Sequence, residues 1–240
     1  MKSEQTVIVT GAAKGLGLAI SQMLVEAGYF VIGIGRSNNS DFKNISADKS
    51  NFIEFDLMDL AEIPTLFKKI KTTSTGQIYG LVNNAGVGLH GTLATQHPSE
   101  IARVLSLNLE APILLTKYAI RHMLRQKEGR IVNISSIIAS TGFNGLSAYG
   151  ASKAGLEGFT RSISREVGRA GITVNCVAPG YMLTDMTEGL GGSKLEAIKR
   201  RAPLGLPRTI NAAHAVRYLL EPCASKTTGT VITVDGGSTA

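Results

Sequence analysis

The chain has 240 residues, 43% of them hydrophobic, long enough to bury a substantial core. It carries 25 Lys and Arg against 18 Asp and Glu, a formal net charge of +7, yet the cations are scattered, Trp is absent and aromatics make up 5%. With no nucleic-acid-binding motif, that balance suits a polyanionic small partner better than DNA or RNA. No apolar run approaches the roughly 18 residues of a membrane span, and MKSEQTVIVTG enters a strand without a signal-peptide pattern, so a cytoplasmic protein with no membrane partner is expected. Cys176 and Cys223 match no metal or redox spacing and read as reduced, small hydrophobes. The four histidines fall outside any cluster, and no metal is expected.

Short apolar, β-branched runs alternate with longer helical patterns from end to end. Strands are predicted over 6–11, 29–35, 51–56, 78–86, 129–136, 171–180 and 229–237, and helices over 16–28, 61–72, 98–126, 147–169, 193–201 and 211–219. Runs such as IVNIS and ITVNCV are apolar on both faces, as strands covered by helices on both sides must be. The alternation predicts an α/β fold, a parallel, doubly wound sheet of about seven strands with right-handed crossovers. No linker or repeat divides it, so one domain over 1–240 is expected. The polar stretch 36–50 predicts a loop with at most a short helix, and Pro112 predicts a kink near Asn108.

The first strand runs into TGAAKGLG, which places Gly11, Gly15 and Gly17 just before a helix. Such a turn admits a pyrophosphate close to the backbone, and the unpaired N–H groups of the next helix face the anion. About 20 residues on, where a carboxylate would bind a ribose 2′-OH, the second strand ends in Arg36, with no acid until Asp41. Lys14 lies inside the turn itself. Two cations in place of a carboxylate suit a ribose 2′-phosphate, so NADP(H) is the expected cofactor, the lesser alternative being that Arg36 is a solvated loop cation.

YGASK at 149–153 sets Tyr149 and Lys153 on one face of a helix. A phenol with pKa near about 10 needs a neighbouring cation to work as an acid–base group at neutral pH. Ser136, at the end of a strand, stands where ligands gather in open α/β sheets. TGAAKGLG, Asp56, NNAG at 83–86, Asn108, Ser136, YGASK and PGYMLT at 179–184 occur in the order and spacing of the short-chain dehydrogenase/reductases, which the chain resembles along practically its whole length. GITVNCVAPGYMLTDM and TGTVITVDGG are most similar to the 3-oxoacyl-[acyl-carrier-protein] reductases.

The resemblance implies a single Rossmann-type domain and NADPH-dependent reduction of a carbonyl to a secondary alcohol. It makes Tyr149 the proton donor and Ser136 the group that orients the carbonyl. Lys153 would lower the Tyr149 pKa and hold the nicotinamide ribose, and Asn108 would hold a water of the proton relay. The glycine turn (Gly11, Lys14, Gly15, Leu16, Gly17) and Arg36 would take the phosphates, and Asp56 and the backbone of Leu57 the adenine. Asn83, Ala85 and Gly86 would line the cofactor, as would Tyr149 and Lys153, and Pro179, Gly180, Met182 and Thr184 would secure its nicotinamide side. Asn83 and Asn84 could equally lock neighbouring strands, and Thr184 could simply cap a helix.

A homotetramer built on the two long helices is implied, with an acyl carrier protein as a possible partner drawn to Arg125, Lys127, Arg130 and Arg169 near the active-site entrance. The carrier-protein reductases use a second basic position, before GITV, where this chain has Ala170. The other readings are a reductase of a sugar, polyol or xenobiotic carbonyl and a catalytically silent NADP(H) sensor. The intact set of Asn108, Ser136, Tyr149 and Lys153 speaks against the sensor.

Overall fold

Val7, Ile8 and Val9 are fully buried, Val7 and Val9 in one hydrophobic cluster and Ile8 in the other. This alternation places a core on each face of the sheet. A computed structural model gives the fold for residues 5–45, 48–183 and 193–240. Its strands are β1 (Gln5–Thr10), β2 (Phe30–Gly35), β3 (Ser50–Glu54), β4 (Gln77–Asn83), β5 (Gly129–Ile134), β6 (Ile172–Pro179) and β7 (Val231–Val234). They form one seven-stranded sheet in the order β3-β2-β1-β4-β5-β6-β7, each pairing parallel.

One core packs α1 (Gly15–Glu26) and α9 (Thr209–Leu220) on the sheet through Ile20, Leu24, Val216 and Leu219. The other packs α3 (Ile63–Thr73) and α5 (Ala111–Gln126) through Leu66, Ile70, Leu115 and Met123. Beside α5, α7 (Ser147–Val167) covers β5 and β6. The chain winds outward from β1 in one direction and from β4 in the other. The ends of these two strands therefore flank a crevice where ligands of such sheets bind.

Three departures from the sequence expectations bear on the site. The predicted helix 98–126 divides into α4 (Pro98–Leu105), a π-helical segment Ser106–Glu110 and α5. Pro112 has no N–H to offer the Asn108 carbonyl, and the ladder widens by one residue there. β5 stops two residues short of Ser136, although Ser135 N still donates to the Val177 carbonyl (2.7 Å) and Ile137 N to that of Pro179 (3.1 Å). The last strand is shorter than predicted because Gly229, Gly236 and Gly237 adopt φ of 73°, 68° and 84°, outside the extended region. Two short helices, α2 (Ser40–Lys43) in the polar crossover and the unanticipated α6 (Ile138–Thr141), as well as α8 (Ser193–Arg201), complete the described elements named here. Cys176 is buried, but Cys223 is exposed, so only the first behaves as a packed hydrophobe.

Candidate active site

Gly11 and Gly15 carry φ of +64° and +54°, the left-handed conformation a side chain resists. The Gly11 amide donates to the Ile34 carbonyl (2.7 Å), holding the turn against β2. Gly17 has a different duty, because a Cβ there would overlap the Gly11 carbonyl oxygen and crowd Asn84 Nδ2 at 2.6 Å. It lets α1 lie against its own turn. No side chain caps α1 and no acid stands in its first turn, so its leading N–H groups remain open to an anion. This uncapped, glycine-lined helix start fits the pyrophosphate of a dinucleotide. Leu16 points into the core, leaving only its backbone for a ligand.

At the ribose end, Arg36 is exposed immediately beyond β2, and Lys14 is exposed in the turn. Asn39, which the sequence reading missed, joins these two loops: its Nδ2 donates to the Ala13 carbonyl (2.6 Å) while its Oδ1 accepts from Phe42 N (3.0 Å). The only sequence clue was its place before a short polar helix. Glu54, also missed, accepts from Asn38 N at 3.2 Å. Asp56 is half-buried just past β3 and accepts from Met58 N (2.9 Å), whereas the Leu57 side chain is in the core.

Between β1 and β4, Thr10 Oγ1 accepts from Asn84 N (3.0 Å) and Ala85 N (2.9 Å), and Asn84 Nδ2 donates to the Thr10 carbonyl (2.8 Å). The Asn83 side chain instead turns into a buried network, donating to Asn133 Oδ1 (2.8 Å) and Thr116 Oγ1 (3.2 Å). Asn83 therefore ties β4 to β5 and α5, a correction to its expected place along the cofactor. The strand alternation sends it under the crevice.

The end of this strand approaches the four residues singled out for chemistry. A Cβ on Gly86 would lie 3.1 Å from Asn108 Oδ1 and 3.5 Å from Lys153 Nζ. Asn108, fully buried on the π segment, grips the backbone of Val87, accepting from its N–H and donating to its carbonyl, each at 2.9 Å. Asn108 Nδ2 also reaches Ser152 Oγ (3.2 Å), which donates to the Tyr149 carbonyl at 2.7 Å. With the side chain so engaged, the backbone carbonyl of Asn108 is the group that Pro112 deprives of an α-helical donor, and it can take a water.

Tyr149 and Lys153 stand one turn apart on α7, with the Ser136 hydroxyl near Tyr149 and accepting from Ile138 N at 3.3 Å. Lys153 Nζ lies 5.8 Å from the Tyr149 ring centre and donates to the Ile134 carbonyl at 2.7 Å. Burial raises the Tyr149 pKa above its ordinary value, against an opposing effect of the nearby Ser136 hydroxyl. The net direction is upward, although Lys153 was expected to lower it. The Lys153 ammonium is itself buried, and desolvation pushes its pKa from 10.5 down to about 8.

Pro179 ends β6, and Gly180 follows it against the closing segment, where a Cβ would press on Asp235 at 2.7 Å. Asp235, another residue missed from sequence, gathers the amides of Gly237 (2.9 Å) and Thr239 (2.9 Å) and the hydroxyls of Ser238 (3.0 Å) and Thr239 (2.7 Å). Those bonds hold its pKa down in spite of the opposing desolvation. Met182 packs half-buried on the first core, and Thr184 lies outside the described residues.

The Lys153 shift carries a pH prediction. Below about 8 the buried ammonium is charged, and as pH rises through about 8 the folded protein loses that charge. From there to the ordinary value the unfolded chain binds the extra proton, so this group's contribution to stability increases while the charge is lost. Reductive kcat/KM should decline above about pH 8 without a matching fall in melting temperature. A kcat/KM profile flat to pH 10 contradicts the prediction.

The short chain dehydrogenase family profile matches residues 5–194, and the chain belongs to that family. It is an oxidoreductase of the alcohol–carbonyl type, and the family binds a nicotinamide cofactor. It is 39% identical over 234 residues to a 3-oxoacyl-[acyl-carrier-protein] reductase of Haemophilus influenzae, covering 96% of each chain. The enzymes of that name from Rickettsia prowazekii (39%, 97% of this chain and 96% of the relative) and Escherichia coli K12 (36%, 96% and 95%) are similar to it. A crystal structure of a provisionally named gluconate dehydrogenase from Agrobacterium tumefaciens superposes with TM-score 0.91 at 26% identity, covering 98% of this chain and 96% of the other. No helix among the described residues is long and apolar enough to cross a membrane.

Proposed function

We propose that this chain is a cytoplasmic, NADPH-dependent reductase of 3-oxoacyl thioesters carried on an acyl carrier protein. The observation that carries the reading is the meeting of Ser136, Tyr149, Lys153 and Asn108 at the strand ends, beside an uncapped glycine turn flanked by two exposed cations. The nicotinamide, when bound, supplies a hydride to the substrate carbon. Ser136 Oγ donates to the carbonyl oxygen and orients it, and Tyr149 Oη delivers the proton that completes the alcohol. Burial keeps Tyr149 protonated at neutral pH, as a donor must be. Lys153 would hold the ribose hydroxyls, and water held at the Asn108 carbonyl would resupply the proton to Tyr149 by way of the Lys153 ammonium.

Lys14 and Arg36 take the 2′-phosphate. Arg36→Asp removes one partner and adds a repulsive charge, so it should lower the NADPH-to-NADH ratio of kcat/KM by about 10-fold or more. An unchanged ratio contradicts this assignment.

The expected basic rim needs correction. Arg130 is buried, donating to the Gly129 (2.8 Å) and Gly171 (3.3 Å) carbonyls, and so offers nothing to a partner. Lys127 and Arg169 are exposed, but they flank the start of β5, about 20 Å of strand from the catalytic end. Lys127 also holds φ +54° at the end of α5, where glycine is at ease and a side chain costs about 1–2 kcal/mol. In the homotetramer we propose, α5 pairs antiparallel with its symmetry mate. The Arg125–Lys127 end of one subunit then meets the catalytic end of the next, and Ala151 and Ala154, both exposed on α7, allow close approach.

Reduction of acetoacetyl thioester with NADPH tests the substrate class, and light scattering tests the assembly. Gluconate oxidation, with acetoacetyl thioester left untouched, would favour the activity named for the Agrobacterium structure instead.

A further inference from the structure

Ser136 and Tyr149 hang from two different frames. The backbone around Ser136 follows β6 through Ser135 N to the Val177 carbonyl and Ile137 N to the Pro179 carbonyl. Tyr149 and Lys153 ride on α7. A proton can pass from Tyr149 to a carbonyl oriented by Ser136 only if these frames keep one register, since a misplacement of about 1 Å can cost roughly 100-fold in rate. Lys153 Nζ to the Ile134 carbonyl is one link between them. In the proposed reaction the Lys153 ammonium would share its three N–H donors with the ribose, so this link is not given over to the register alone.

One link lies one residue along β5 and one turn along α7. Ser135 Oγ donates to Glu157 Oε1 at 2.7 Å. Ser135 is 3% exposed and the Glu157 side chain 13%, so the carboxylate has given up most of its water for this contact. Its other partner is a long one: Arg161 Nη1 stands 3.9 Å away on a side chain that is 57% exposed, where an ion pair adds little. A nearly buried carboxylate held chiefly by one serine hydroxyl, next in sequence to the carbonyl-orienting serine, is poorly explained as surface charge.

We propose that Glu157 is a positioning residue: through Ser135 it fixes the distance between α7 and the end of β5, and so the placement of Ser136 against Tyr149, while Lys153 is engaged with the cofactor. The inference rests on the catalytic assignment above and is indifferent to which ketone is the natural substrate. The hydrogen bond does this work, and a neutral acceptor at the same place would keep its geometry with a weaker bond.

Four variants test it: Ser135→Ala, Glu157→Ala, the double variant, and Glu157→Gln, which keeps an acceptor oxygen. Each is compared with wild type on one ketone that wild type reduces, acetoacetyl-CoA or, if that is inert, ethyl acetoacetate. Turnover is scored per NADPH-binding site so that unfolded protein is not counted, and melting temperature is followed alongside. Ser135→Ala and Glu157→Ala should each lower kcat about 10-fold, with KM and the NADPH Kd within about twofold of wild type. The double variant should also stand near 10-fold, since both changes cut one bond. Glu157→Gln should recover to within about threefold of wild type. Wild-type kcat per site in either alanine variant overturns the proposal whatever happens to the melting temperature, as do an additive loss near 100-fold and a Glu157→Gln as slow as Glu157→Ala. Failure of wild type on acetoacetyl-CoA touches only the carrier-substrate reading.

Discussion

Tyr149→Phe should lose about 10²–10⁴-fold in kcat for carbonyl reduction and bind NADPH within about twofold of the native protein. The substitution removes one oxygen and leaves the ring, whose contacts do not depend on it. Two features make the loss large. The hydroxyl lies near Ser136, where the carbonyl oxygen would arrive, and burial favours its protonated form through the neutral range. Ser152, whose hydroxyl touches the Tyr149 carbonyl, still fastens that turn of α7 to Asn108, so the variant should fold. Steady-state kinetics with cofactor titration by fluorescence checks both halves. Turnover within about 10-fold of wild type would mean that the proton comes from another group.

Gly17→Ala should be nearly as damaging by a different route. The added methyl would overlap the Gly11 carbonyl oxygen, which is backbone and cannot rotate away, and would meet Asn84 Nδ2, which is occupied with the Thr10 carbonyl. Either α1 retreats from the turn or the turn distorts. Retreat withdraws the helix N–H groups from the pyrophosphate, and distortion breaks the Gly11 amide bond to the Ile34 carbonyl. We expect NADPH affinity to fall by about 100-fold or more and stability by roughly 1–3 kcal/mol, the usual cost of overpacking a rigid site. Thermal unfolding and an NADPH titration measure the two effects separately. Gly15→Ala offers a contrast: a Cβ there meets nothing within 4 Å, so its cost is confined to the φ of +54°.

Much of the fold was legible because the signals are local. Apolar runs buried on both faces, helical periods between them and glycines at the turns all act within a few residues, and seven parallel strands with helices on both faces follow from them. Pro112 marked the π segment for the same reason, since a missing N–H acts four residues away. Ser136, Tyr149, Lys153 and Asn108 were assigned to one site by the family resemblance rather than by any local signal. Pairing partners were hidden. Asn83 reads as a cofactor neighbour by its place in NNAG, yet its amide belongs to Asn133 and Thr116, 50 and 33 residues away.

Arg130 looked like part of a basic rim in sequence and is a buried donor to backbone carbonyls; Lys127, two residues earlier, is exposed. Periodicity tells which residues share a face of an element, but not what that element is laid against. The pKa of Lys153 shows the same division. YGASK determined by itself that Lys153 stands one turn from Tyr149, because helix geometry is a property of the backbone. Whether its charge would be comfortable there was decided by the tertiary structure, which closes β5, the π segment and α7 around the amine and removes its water. Desolvation is set by everything that surrounds a group, and those surroundings come from strands and helices far apart in the chain.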